Sequence, residues 1–141
     1  MNVAGARLKR IAVELLHLSG KRKCFVQVFL LSDKEMRVIC KKVGALPAIK
    51  KTKMGRELSQ ETHLNVLSFP EKTKFPALRG QMSLGEVYIN YDWAEKKIEI
   101  LVYLLVHGIL HLLGYNHKRK RDTIRMEKLE KKLWHHVLSS G

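Results

Sequence analysis

The sequence contains little cysteine. Only Cys24 and Cys40 occur among the 141 residues, fifteen residues lie between them, and neither belongs to a CxxC pair. Zinc ribbons and thiol redox motifs require paired cysteines at short spacing, so both kinds of site are disfavoured. We expect two buried thiols, and a cytoplasmic protein as the default.

The sequence also lacks a hydrophobic run long enough to span a bilayer. Its most apolar stretch, 100–113, is too short and is interrupted by two histidines. Near the N-terminus, basic residues interrupt the only apolar segment and exclude a secretory signal peptide, namely Arg7, Lys9 and Arg10. We therefore expect no membrane span and a mature chain that begins where this sequence begins.

Acidic residues are scarce relative to basic ones. There are 27 Lys and Arg against 13 Asp and Glu, a formal net charge of +14. Proteins from organisms that grow at high temperature are also rich in surface lysine, but their glutamate content is raised together with their lysine content. The imbalance instead predicts contact with a polyanion, RNA or DNA. The length predicts one domain over residues 1–141.

The first half of the chain predicts a helix, a strand and a second helix. Apolar residues at helical spacing precede Ser19 and Gly20, which end the first helix. Residues 24–31 predict a strand. Ser32 and Glu35 form a capping box that opens a second helix, which ends near Gly44. Residues 47–63 carry several lysines without periodicity and predict a basic loop.

The second half predicts two strands and two helices. Residues 65–69 and 84–90 are short apolar segments typical of strands. A long apolar helix is expected from Asp92 to Leu113, and a last helix over 122–138. This order indicates an α+β fold, a small mixed sheet packed with helices, with the long helix central against the sheet.

Three histidines of the run HGILHLLGYNH have the spacing of a metal site. His107 and His111 are four residues apart, so a helix projects both imidazoles from one face. Gly114 is expected to take a left-handed backbone that ends the helix, and the chain then returns His117 to the same point. Three protein ligands leave a coordination position open, unlike the four ligands of a structural zinc site.

The identity of the metal is less constrained than its position. Three imidazoles suit Zn²⁺ best, although Ni²⁺, copper and ferrous iron also accept them. In the peptidase pattern HExxHxxGxxH the residue after the first histidine is a glutamate that acts as general base. Here it is Gly108, which disfavours peptide hydrolysis. One hypothesis is that the missing side chain leaves space for a phosphodiester to approach the metal.

The motif HGxLHLxGYxH, with NVLSFP and LGEVYIN before it and a helix bearing Met126, Glu127, Leu129 and Glu130 after it, resembles the YbeY family of bacterial endoribonucleases. The resemblance covers residues 20–138. It implies a zinc-like metal on the three histidines and a metalloprotease (zincin)-like α+β fold. It also implies cleavage of single-stranded RNA in small-subunit rRNA processing and ribosome quality control.

Two positions depart from the family pattern. Asn116 stands where the family commonly has Asp, and Leu64 replaces the Thr that opens TxVLSF. A family arginine lies six residues before that Thr, where this chain has Leu58. The nearest basic residue is Arg56, which takes the catalytic role if the loop shifts register; otherwise it is one more solvated charge.

The resulting mechanism is metal-dependent phosphodiester cleavage. We expect that a bound metal would lower the pKa of a water molecule and offset charge on a phosphoryl oxygen, while Arg56 and nearby lysines would hold the RNA backbone. Four cations, Lys118 to Arg121, directly follow the third histidine. Two alternatives remain, a non-catalytic ribosome-assembly module with a structural metal and a zinc metallopeptidase. Oligomeric state and the precise RNA target are not predicted.

Overall fold

The structure is a computed structural model that describes residues 3–42, 65–71, 80–94, 97–116 and 118–139. Within these ranges the chain forms, in order, α1 (Val3–Leu18), β1 (Cys24–Leu31), α2 (Asp33–Lys42), β2 (Val66–Pro70), β3 (Met82–Asn90), α3 (Ile98–Leu112) and α4 (Lys120–Ser139). None of these helices has the length and apolar character that crossing a membrane requires. The predicted basic loop at 47–63 lies outside the described residues.

The three strands form one mixed sheet in the order β1-β3-β2. β3 is central: it pairs with β1 in parallel, Val28 opposite Val87, and with β2 antiparallel, Val66 opposite Ile89. The β1–β3 register shifts once, between Phe25 and Val26. The predicted α+β class with a small mixed sheet is therefore confirmed.

The hydrophobic core lies between the sheet and α3. Helix α3 packs against β2, β3, α1 and α4, and ten consecutive residues of it, 101–110, are buried. Val87 and Ile89 on β3 have no exposed surface. Helix α1 adds Leu8, Leu15 and Leu16, as its apolar spacing predicts. The long apolar helix is central to the fold, as expected.

An aromatic row lies on the other face of the sheet. The rings of Phe29 and Tyr88 stack at 4.9 Å, and Phe69 meets Tyr88 edge-on at 5.3 Å. The Tyr88 hydroxyl donates to the Glu86 carboxylate, and this hydrogen bond is the main reason that the pKa of Tyr88 is raised. Three strands thus contribute one ring each to this face.

Local sequence signals placed most element boundaries correctly. β1 spans the predicted residues, and α1 ends before Ser19 and Gly20. The capping box is present: Glu35 accepts from the Ser32 amide at 3.0 Å, and Ser32 Oγ accepts from the Glu35 amide at 3.2 Å. Both cysteines are free; Cys40 is buried, which raises its thiol pKa, and Cys24 is half-buried.

The predicted start of the long helix at Asp92 is wrong. Residues 91–94 form a turn, in which Asn90 Oδ1 accepts from the Trp93 amide at 2.9 Å, and α3 begins at Ile98. The Asp92 carboxylate instead accepts from the backbone amide of Asp33 at 2.8 Å. It therefore caps the first turn of α2, a helix distant in sequence, where a negative charge is favourable.

Candidate active site

His107 and His111 lie on one face of α3, where the i,i+4 spacing places them. Their Nε2 atoms approach to 3.0 Å. His107 is buried, with 4% of its surface exposed, and His111 is half-buried at the margin of the core. The structure therefore brings together two of the three predicted metal ligands. The third, His117, lies outside the described residues.

The turn after α3 positions His111. Gly114 has φ of 105°, the left-handed conformation expected of it. The Gly114 amide donates to the His111 carbonyl at 3.1 Å, and the Tyr115 amide donates to the Leu110 carbonyl at 3.0 Å, a Schellman motif. This turn places the Tyr115 carbonyl 3.0 Å from His111 Nδ1. Gly114 thus ends α3 and, through the turn that it allows, orients the His111 ring.

Glu130 of α4 positions His107. Its carboxylate is 1% exposed and contacts His107 Nδ1 through Oε1, while Oε2 accepts from the Tyr103 hydroxyl at 3.0 Å. Sequence reasoning assigned no such role to Glu130. A signal was nevertheless present, because Glu130 occupies the same helical stripe as the buried residues Met126 and Val137. An acidic residue on a buried stripe needs a partner.

These two contacts fix the tautomer of each ring. A backbone carbonyl only accepts, so the hydrogen that binds the Tyr115 carbonyl is assigned to His111 Nδ1, and the contact of His107 Nδ1 with the Glu130 carboxylate gives His107 the same assignment. In neutral rings both Nε2 atoms then present lone pairs to each other at 3.0 Å. Two lone pairs directed at one point suit a cation shared by the two nitrogens.

The Nε2 atoms of His107 and His111, and the partners of the two Nδ1 atoms, fit the binding of a metal ion. Ligating histidines usually donate their other ring N–H to a carboxylate or a carbonyl, and here there is one of each. Two nitrogens bound to one tetrahedral zinc ion lie about 3.3 Å apart, given Zn–N distances of about 2.0–2.1 Å. Within the described ranges no cluster of three or more His, Cys, Asp or Glu completes a metal site.

The two rings open onto a cleft of 480 Å³. Strand β2 forms one wall with Val66, Leu67, Ser68 and Pro70, and the turn after α3 forms the other with Gly114, Tyr115, Asn116 and Lys118. None of the described residues that line the cleft is an aspartate or a glutamate. A substrate here meets imidazole, amide, hydroxyl and ammonium groups.

The hypothesis that Gly108 leaves space for a phosphodiester is wrong. A Cβ at residue 108 would lie 2.5 Å from Val87 Cγ1 and 3.2 Å from both Ser68 Oγ and Val66 Cγ2. The missing side chain therefore lets α3 pack closely on β2 and β3. The Ser68 hydroxyl donates to the Gly108 carbonyl at 2.8 Å across this contact. Gly108 therefore determines how closely α3, which carries His107 and His111, packs on the sheet.

The other predicted site residues are distributed as follows. Arg56 lies outside the described residues. Lys118 is exposed and lines the cleft. Arg119, Lys120 and Arg121 are also exposed, and α4 begins at Lys120, two residues earlier than predicted. These cations therefore occupy the segment that leads from the cleft into α4.

Comparison with known proteins gives one consistent family. The family model described as "Endoribonuclease YbeY" matches residues 2–138. A protein named "Endoribonuclease YbeY" from Wolbachia sp. subsp. Drosophila simulans (strain wRi) is 38% identical over 86 residues, which cover 55% of this chain and 53% of that protein.

Further relatives carry the same name. The protein from Sinorhizobium fredii (strain NBRC 101917 / NGR234) is 38% identical over 86 residues, 53% of this chain and 48% of its own length. The protein from Wolbachia pipientis subsp. Culex pipiens (strain wPip) is 40% identical over 86 residues, 55% of this chain and 53% of its own length. The chain thus spans about half the length of the curated relatives it matches. Because the family model covers nearly all of the sequence, this chain belongs to the YbeY family.

Proposed function

We propose that this protein is a metal-dependent endoribonuclease that cleaves single-stranded RNA. The observation that carries the proposal is the pair of Nε2 atoms 3.0 Å apart at the cleft, each on a ring whose Nδ1 is held by an acceptor. Membership of a family named for endoribonuclease activity supplies the reaction class. The net charge of +14 favours an anionic substrate.

In this proposal His107, His111 and His117 hold the metal, and zinc is the best match to three imidazoles. Nickel, copper and ferrous iron are the alternatives. When bound, the metal supplies a Lewis acid that offsets charge on a phosphoryl oxygen. Glu130 and the Tyr115 carbonyl keep the His107 and His111 rings oriented toward it.

The cleft residues bind the RNA. Lys118 presents an ammonium group at the wall of the cleft, and Arg119, Lys120 and Arg121 follow it, so a phosphodiester at the histidines lies beside a run of cations. Tyr115, half-buried in the same wall, offers a ring for a base. Arg56 is proposed as a further catalytic residue that contacts the scissile phosphate.

The finer biological assignment is part of the same proposal, and membership of the YbeY family supports it. We place the activity in rRNA maturation and ribosome quality control, with ribosomal RNA or the small subunit as partner and the cytoplasm as location. A zincin-like fold is part of the proposal, with α3 as the metal-binding helix on the sheet. It is supported by the packing of α3 on β2 and β3.

A second candidate function is a ribosome-assembly module in which the metal is structural. The absence of any carboxylate among the described cleft residues favours it, because the two histidines assigned to the metal are then the only described cleft residues of the kinds that usually act as general base. A metallopeptidase is the weakest alternative, since Gly108 occupies the position of the peptidase glutamate. The endoribonuclease cleaves RNA, the metallopeptidase cleaves protein, and the assembly module cleaves neither.

One experiment separates them. The protein is purified, its metal content is measured by mass spectrometry, and cleavage of single-stranded RNA and of casein is followed with and without chelator. The His111→Ala variant, purified in the same way, is the control for contaminating ribonuclease. We expect about one metal ion per chain, RNA cleavage that chelator abolishes, and no casein cleavage.

Each contrary result has a clear meaning. Equal RNA cleavage by His111→Ala and wild type would show that a contaminant is responsible. RNA binding without cleavage at any concentration would favour the assembly module. The chemistry of the cut is read from product ends: a 2′,3′-cyclic phosphate, lost when the scissile nucleotide is 2′-deoxy, identifies the RNA 2′-hydroxyl as nucleophile.

A further inference from the structure

A row of basic side chains runs along the solvent side of α4. Its members recur at helical spacing and are all exposed: Arg121, Arg125, Lys128 and Lys132. Residues at i, i+4, i+7 and i+11 lie on one face of a helix, and this face is opposite the buried residues Met126, Glu130 and Val137. At 1.5 Å per residue the row is about 17 Å long. We refer to these four residues as the basic row.

The basic row begins near the histidine cleft and runs away from it. Lys118 lines the cleft and lies two residues before α4. Farther along α4, Glu130 contacts His107 of α3, and Trp134 Nε1 donates to the Glu99 carbonyl at 2.9 Å. Later residues of α4 thus contact earlier residues of α3, so the two helices are antiparallel. RNA that leaves the cleft past Lys118 meets the basic row lengthwise.

The like charges of the basic row repel one another. Neighbours in the row are three or four residues apart, a spacing at which like charges destabilise a helix. The acidic residues of α4 lie off the row, since Glu130 is buried and Asp122 and Glu127 are half-buried. The sequence segments 43–64 and 72–79 each contain more Lys and Arg than Asp and Glu, so neither supplies net negative charge. An anionic partner would relieve the repulsion.

The basic row offers charge but no ring on which a base stacks. No aromatic residue lies between Arg121 and Lys132, and Trp134 is half-buried and packs edge-on against Tyr103 at 5.1 Å. Proteins that hold single-stranded nucleic acid combine cations with stacking aromatic side chains. The bases of a duplex already stack on one another, and duplex RNA is bound mostly through its shape, its phosphates and its 2′-hydroxyls. A straight row of cations without rings therefore fits the backbone of duplex RNA.

We propose that the basic row binds the phosphate backbone of an RNA duplex that adjoins the single strand held in the cleft. The substrate is then a single strand next to a stem. Contacts to phosphate carry no sequence information, so α4 binds the stem whatever its sequence. This inference rests on the proposed function for the position of the scissile strand, whereas binding of the stem requires neither metal nor cleavage.

The test compares three labelled RNAs by fluorescence anisotropy, in the His111→Ala background so that they are not cleaved. The first is a hairpin with a ten-base-pair stem and a six-nucleotide single-stranded extension. The second is the extension alone, and the third is an unstructured strand with as many nucleotides as the hairpin. We expect the hairpin to bind at least tenfold more tightly than either single strand. Because the hairpin and the long strand carry equal numbers of phosphates, charge alone does not explain such a difference.

Two triple variants locate the binding site, and each removes three exposed cations. The first removes cations of the basic row: Arg125→Gln, Lys128→Gln and Lys132→Gln. The control removes cations of α1 and α2: Arg10→Gln, Lys34→Gln and Lys41→Gln. We expect the first to abolish the preference for the hairpin and to reduce the magnitude of its logarithmic salt slope by about two to three, the value for three lost phosphate contacts. The control should keep the preference.

Three results would overturn the proposal. The first is equal affinity for the hairpin and the long single strand. The second is an equal loss of hairpin affinity in the two triple variants, which would assign the effect to net charge. The third is displacement of the hairpin by polyglutamate of equal charge as efficiently as by unlabelled hairpin, which would indicate an acidic protein as partner.

The outcome is separable from that of the proposed function. Hairpin binding that depends on the basic row, in a protein whose wild type cleaves no RNA, would support this inference and contradict the nuclease. Metal-dependent cleavage without any preference for the hairpin would support the nuclease and contradict this inference.

Discussion

At the scale of single residues, Glu130 determines how His107 is presented. The buried carboxylate binds both Tyr103 and His107, so it fixes a ring orientation through a contact between residues 23 apart in sequence. A carboxylate on the far nitrogen of an imidazole also strengthens the ring as a metal ligand. Glu130 therefore acts through His107 as a positioning residue.

We expect Glu130→Gln to lower zinc affinity by roughly 10- to 100-fold, the usual effect of losing such a partner. The substitution keeps the volume of the side chain but removes its charge. Affinity is measured by competition with a zinc chelator. Glu127→Gln is the matched control, because it removes the same charge from the same helix at a residue that makes no hydrogen bond or ion pair with His107 or His111. Equal zinc affinity of Glu130→Gln and wild type would contradict this role.

Gly108 is a second residue whose importance depends on its neighbour. Alanine there gains about 1 kcal/mol of helix propensity but forces a Cβ to within 2.5 Å of Val87 Cγ1. Overpacking typically costs about 1–3 kcal/mol, so we expect Gly108→Ala to lower the free energy of unfolding by up to about 2 kcal/mol. Urea denaturation measures this change.

A double-mutant cycle with Val87→Ala tests the cause of that loss. Truncating Val87 removes the atom that the new Cβ would meet, so Gly108→Ala should be neutral or stabilising in the Val87→Ala background. If Gly108→Ala has the same effect in both backgrounds, close packing on β3 is not the reason for glycine at this position.

At the scale of elements, α2 is stabilised at its N-terminus from two sources. The local source is the Ser32–Glu35 capping box, and the distant one is the Asp92 carboxylate on the Asp33 amide. The hydrogen bond from the Ser32 amide is the main reason that the pKa of Glu35 is lowered. A carboxyl with a lowered pKa stabilises the fold above its unfolded pKa and loses that contribution as pH falls through its folded pKa.

We therefore expect Glu35→Gln to be less stable than wild type at neutral pH, with the difference closing as pH falls below about 4.5, the ordinary pKa of a glutamate. Thermal melts over a series of pH values measure this. Glu127→Gln removes a charge away from any helix start and should show no such convergence. A difference that persists at low pH would mean that Glu35 does not act through its ionised carboxylate.

At the scale of the whole molecule, the net charge of +14 favours encounters with polyanions, such as the RNA substrate proposed above. We expect the affinity for single-stranded RNA to fall with salt, and Lys118→Gln to reduce the magnitude of the logarithmic slope by about 0.7, the value for one lost phosphate contact. Binding is measured in the His111→Ala background so that RNA is not cleaved. Lys131→Gln, an exposed lysine of α4 outside the cleft, should leave the slope unchanged. Identical slopes would remove Lys118 from the binding surface.

The sequence alone determined the features that depend on residues close to one another in the chain. The i,i+4 pair His107 and His111, the turn at Gly114 and the capping box at Ser32 follow from helix geometry and from local hydrogen bonds. The periodicity of α1 and the β1 segment was sufficient to place those elements. Such features need no knowledge of the rest of the fold.

Tertiary structure decided the features that join distant parts of the chain. Glu130 reaches His107 because α4 packs on α3, Gly108 is required because Val87 lies beneath it, and Asp92 caps α2 rather than opening α3. Each depends on how elements pack, and local sequence patterns do not specify which surfaces meet in three dimensions.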